Sequence, residues 1–171
     1  MDIGWINHAL IPGWLLFRRS FVMQSGLTPA IVHGGYHNWI DYRGSRPSRM
    51  FTGPILWAPI EIDTARVETS WVKAVTPTQM DDPKFWFELQ STNAIIWCED
   101  GAAYATIAGT DTACILGRES LYREAFGSDL LSLDLAVREM VSDTLAQLES
   151  RQSHRIDDVW LREAAWLSTF R

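Results

Sequence analysis

A chain of 171 residues with 47% hydrophobic and 21% charged residues can remove roughly 70% of its unfolded surface from water, and its composition excludes the low-hydrophobicity, high-charge signature of disorder. Its net charge of −6 argues against general attraction to nucleic acid or to an anionic membrane. No apolar run reaches the roughly 20 residues that a membrane-spanning helix requires.

The N-terminal stretch has no basic segment ahead of its apolar residues, and Pro12-Gly13 interrupts it, so a cleaved secretion signal is not expected. Gly13 to Met23 is apolar around Arg18 and Arg19 and reads as a strand, with a helix as the alternative. Ala30-Ile31-Val32-His33 ahead of Gly34-Gly35 reads as a short strand entering a turn, and Tyr36 to Tyr42 as its neighbour. Arg43 to Arg49 is a polar loop, and Met50 to Ile62 is strand-like, but Pro54 and Pro59 assign it to a sheet edge or an irregular segment.

A breaker-rich loop from Pro77 to Pro83 precedes three strand-length runs, Phe85–Leu89, Ala94–Cys98 and Tyr104–Ala108. Their short spacing predicts an antiparallel meander, and Asp100-Gly101 suits the positive backbone angles of a tight hairpin. After Gly117 the period changes. Leu133, Val137, Met140, Val141, Leu145 and Leu148 recur at three- and four-residue steps, the pattern of an amphipathic helix. A second helix is predicted from Asp157 or Asp158 through Trp160, Leu161, Ala164 and Leu167. The whole, residues 1–171, reads as a single α+β domain: a mostly antiparallel sheet from the first two-thirds, covered on one face by two C-terminal helices.

Several constellations bear on chemistry. His33 and His37 flank Gly34-Gly35, which disfavours the helix that would aim both imidazoles at one metal, so no metal site is assigned. Cys98 is followed by Glu99 and Asp100, whose charge raises a thiol's pKa, and it reads with Cys114 as a buried structural residue. Glu88, Glu99, Asp100 and Asp111 lie in or beside the meander and could supply paired carboxylates, although such residues at hairpin ends are more often solvated turn positions. No phosphate cradle, dinucleotide fingerprint or nucleophile elbow is present, so no cofactor and no catalytic residue is assigned. Two cysteines are too few for a disulfide framework, and free thiols point to a reducing, cytoplasmic setting.

Two features stand out. Nine tryptophans are spread along the chain, and each buried indole needs a partner for its N–H, so a few are expected to be partly exposed. Arg43, Arg46 and Arg49 stand at three-residue spacing, flanked by Tyr36, Trp39, Tyr42 and Phe51, and Arg, Trp and Tyr are the residue types enriched at protein interfaces. Charge is uneven as well: residues 1–76 carry +2 and residues 77–171 carry −8. These features point to a small acidic protein-binding domain with Trp39, Tyr42, Arg43, Arg46 and Arg49 as the partner-binding residues. The expected partner is another protein, a toxin or a component of a host defence, met by an inhibitor such as an immunity protein or a phage-encoded antagonist. The competing reading is a small enzyme or ligand-binding domain with an aromatic-lined pocket served by His33, His37 and carboxylates.

Overall fold

The apolar run Ala94–Cys98 forms a strand in which all five residues are buried, and that single fact sets the architecture, because such a strand must be covered on both faces. The computed structural model describes residues 2–33, 46–89, 92–108, 112–126, 163, 165–167, 169 and 170. In chain order these form α1 (Trp5–Ala9), β1 (Leu10–Ile11), β2 (Leu16–Phe17), α2 (Arg19–Ser25), β3 (Thr28–His33), β4 (Ile55–Pro59), β5 (Lys73–Val75), α3 (Pro77–Met80), α4 (Pro83–Leu89), β6 (Ala94–Cys98), β7 (Tyr104–Ala108), β8 (Thr112–Gly117) and α5 (Glu119–Phe126). The described strands build a small β1–β2 hairpin and a six-stranded antiparallel sheet of order β3-β8-β7-β6-β4-β5. The chain is therefore an α+β fold. Among the described residues, no helix is long and apolar enough to cross a membrane.

Alternation along the strands sends side chains into two cores. Ile55, Ile96, Ala105, Ile107 and Ile115 face one side, where Met50, Phe51, Met80, Leu89, Tyr122 and Ala125 cover them. Leu56, Ile95, Trp97, Cys114 and Leu116 face the other, under Ile6, Leu10, Phe17, Val22, Trp166 and Leu167. Each fully buried aliphatic side chain contributes about 1.5–3 kcal/mol, so both cores are substantial. Cover therefore comes from N-terminal and middle helices, and not only from C-terminal ones. The predicted helix around residues 130–148 lies outside the described residues. Of the second predicted helix, Glu163 and residues 165–167 are helical.

Of two segments read as strands, Gly13 to Met23 is divided between the short strand β2 and the helix that was its alternative, and Phe85–Leu89 is a helix. Gly13 to Met23 is broken by positive φ at Gly13 (83°) and Leu15 (52°). It then turns into α2, which buries Val22, half-buries Phe21, leaves Arg19, Ser20, Met23 and Gln24 outside, and ends on Gly26 in the left-handed conformation. Phe85–Leu89 belongs to α4. Asp82 caps it, its Oδ1 accepting the Lys84 N–H at 2.9 Å, and Pro83 takes the first helical position. The loop read at Pro77 to Pro83 contains α3, started by a reciprocal capping box: Thr76 Oγ1 accepts the Gln79 N–H, and Gln79 Oε1 accepts the Thr76 N–H. The meander exists one strand later than expected, as β6-β7-β8.

β4 is flanked by β5 and β6 and so is not an edge strand. Its prolines bound it: the Pro54 carbonyl accepts from Glu99 N, and the residue after Pro59, Ile60, resumes pairing by donating to the Asn93 carbonyl at 2.9 Å. The strand expected at Ala30–His33 is present as β3, paired with β8 from Thr28↔Gly117 to His33↔Thr112. Its predicted neighbour, Tyr36 to Tyr42, lies outside the described residues.

Candidate functional site

The β6–β7 hairpin turns at Glu99–Ala103, with Gly101 at φ 75° and Asp100 Oδ1 accepting the Ala102 N–H at 3.0 Å. This Asp-Gly turn, foreseen from its chemistry, projects two exposed carboxylates past the end of the sheet. Against it pack rings from three other places. Trp5 of α1 and Phe21 of α2 stack with centroids 5.7 Å apart, and Tyr104 of β7 meets both edge-on, at 5.2 Å and 5.1 Å. Trp97 of β6 closes the group edge-to-face with Trp5 at 6.0 Å. Trp97 is buried, whereas Trp5, Phe21 and Tyr104 are half-exposed.

These rings line an open cleft of about 520 Å³. Leu56, Trp97 and Cys98 contribute apolar surface, and Asp2, Glu99 and Asp100, all exposed, contribute carboxylates. Asp2 is held by its Oδ1, which accepts the Gly4 N–H at 2.8 Å. None of the described residues lining the cleft is basic.

Burial pushes the Cys98 thiol up to about 12, with the Asp100 charge adding to it. At neutral pH it is a protonated, unreactive wall residue, not a nucleophile. Tyr104 is likewise raised, first by burial and then by Cys98 and Asp100, so it presents a neutral phenol. Cys114, buried in the core, is raised chiefly by burial.

The other sequence candidates fall elsewhere. Trp39, Tyr42 and Arg43 lie outside the described residues. Arg46 and Arg49 are exposed at the ends of a short 3₁₀ turn, Pro47–Arg49. That turn is fastened at two points. Ser48 gives its N–H and Oγ–H to Asp81 at 2.9 and 2.7 Å, and Arg46 N donates to the Ala125 carbonyl at 2.7 Å. Met50 and Phe51, which follow it, belong to the core on the side of the sheet opposite the aromatic cluster, so the arginines do not join the cleft. His33 ends β3 opposite Thr112, and His37 lies outside the described residues. Glu88 sits exposed on α4 and does not line the cleft with Glu99 and Asp100, and Asp111 lies outside the described residues. Among the described residues, no three His, Cys, Asp or Glu side chains are grouped to hold a metal ion.

Of the six tryptophans whose side chains are described, Trp97 and Trp166 are buried, Trp5, Trp57 and Trp71 are half-buried, and Trp14 is 39% exposed. Partial exposure of the indoles is therefore a property of this fold. No family model, curated protein or solved structure matches this chain.

Proposed function

We propose that the chain is a protein-binding domain that acts by covering a surface of another protein, in the manner of an immunity protein against its toxin or a phage-encoded antagonist of a host defence. The observation that carries this reading is the half-exposed cluster of Trp5, Phe21 and Tyr104 beside the carboxylates of Asp2, Glu99 and Asp100. Rigid rings lose little conformational freedom on binding and form the energetic centre of many interfaces. The carboxylates add steering toward a basic partner, reinforced by the net charge of −6. Free thiols at Cys98 and Cys114 suit a reducing, cytoplasmic setting. Arg46 and Arg49, presented from a fastened backbone, supply a second contact area on the same reading.

Affinity capture from cell lysate with the wild type, Glu99→Arg and Glu124→Arg tests it. Both substitutions are at exposed positions and change net charge equally, but only Glu99 borders the cleft. A protein held in stoichiometric amount by the wild type and Glu124→Arg, and lost from Glu99→Arg, is the expected result. Finding no protein with that pattern overturns the cleft as the contact.

A further inference from the structure

Resting on the protein-binding reading, we infer that the cleft takes an arginine side chain of the partner protein, laid against the half-exposed Trp5 and Tyr104 rings and paired with the Glu99 and Asp100 carboxylates.

Aromatic faces attract cations, and a guanidinium is preferred because it is planar, weakly hydrated and able to stack while its N–H fork stays free for carboxylates. The rim supplies those acceptors from two directions: Asp2 ahead of α1, and Glu99 with Asp100 on the hairpin turn. A guanidinium can pair with more than one carboxylate at once, which a point charge on a flexible stem does less well. The cleft is backed by neutral groups, since Leu56, Trp97 and protonated Cys98 line it and are buried. A volume of about 520 Å³ exceeds what a guanidinium needs and leaves room for flanking backbone, as expected when the group arrives on a polypeptide. No basic residue among those lining the cleft competes for the carboxylates.

The test uses the whole protein and two blocked tripeptides, acetyl-Gly-Arg-Gly-amide and its lysine counterpart, titrated while the indole N–H signals of Trp5 and Trp97 are followed by NMR. The arginine peptide is expected to shift Trp5 with affinity on the order of millimolar, severalfold tighter than the lysine peptide. Glu99→Gln and Asp100→Asn should each weaken it by about two- to fivefold, the range of a solvent-exposed ion pair. Asparagine at 100 keeps the side-chain oxygen that accepts from Ala102, so the turn survives the loss of charge. Absence of saturable shifts at Trp5, equal response to both peptides, or indifference to both substitutions overturns the assignment. These outcomes are separable from the parent reading. Glu99-dependent capture without arginine-peptide binding removes the arginine assignment alone, while peptide binding without Glu99-dependent capture leaves an arginine-accepting cleft and removes it as the contact to a protein partner.

Discussion

Thr106 Oγ1 donates a 2.5 Å hydrogen bond to the carbonyl of Leu15, a buried contact between residues 91 positions apart. Leu15 carries a positive φ of 52° between β1 and β2, and Thr106 of β7 supplies a donor to its carbonyl. The bond ties the N-terminal layer bearing Trp5 and Phe21 to the sheet bearing Tyr104. Thr106→Val keeps the shape and removes the donor, leaving the carbonyl unpaired, at a cost of about 1–3 kcal/mol. Urea denaturation should show the loss, and Thr106→Ser should recover most of it.

Tyr122 performs a comparable service on the opposite face. Its hydroxyl lies 2.6 Å from the Thr28 carbonyl and 3.1 Å from that of Ile115, strapping α5 over the β3–β8 pair. Tyr122→Phe should cost about 1 kcal/mol, with hydrogen exchange accelerating in β3 before the central strands.

Gly117 is fixed by volume and not by backbone angle. A Cβ there would stand 2.6 Å from Met50 Sδ, and Met50 is completely buried, so it has no solvent into which to swing. Gly117→Ala should destabilise by about 1–3 kcal/mol through overpacking. In a double-mutant cycle with Met50→Ala, the combined loss should be smaller than the two single losses together, because the cavity left by one change admits the methyl of the other.

The elements that could be read from the sequence are those decided locally. Ala94–Cys98 and Tyr104–Ala108 are strands because β-formers bracket an Asp-Gly turn, and the turn's chemistry and the run lengths agree. Phe85–Leu89 misled because its aromatic content resembles a strand, whereas the decision belongs to Asp82 and Pro83, a cap and a first-turn proline that were legible but outweighed. The cleft had no comparable signal. Among its lining residues, Cys98, Glu99 and Asp100 were singled out for their chemistry. Asp2, Trp5, Phe21 and Tyr104 come from a terminus, two short helices and a strand, and nothing in their spacing marks them until β3 and β8 close the sheet and α1 and α2 fold over it.

Alkaline stability offers a fourth prediction. Cys98 has its ordinary value of 9.0 raised to about 12 by burial, and Cys114 is raised in the same direction. A thiol harder to ionise when folded leaves stability intact below pH 9, where both states hold the proton. Above that the unfolded chain loses protons that the folded chain keeps, so stability falls by about 1.4 kcal/mol per pH unit for each thiol until the folded group titrates. The midpoint of urea denaturation, followed between pH 8 and pH 10, should decline more shallowly in Cys98→Ala than in the wild type.

Trp166 Nε1–H donates to the Phe17 carbonyl at 2.7 Å across 149 positions, and its ring meets Phe170 at 4.9 Å. During synthesis, the layer that contains Phe17 therefore waits for a contact made more than a hundred residues later. Until then the apolar side of the nascent sheet is available to chaperones or to neighbouring nascent chains, and a premature stop before Trp166 should yield an aggregating product even though every strand of the described sheet has already been translated.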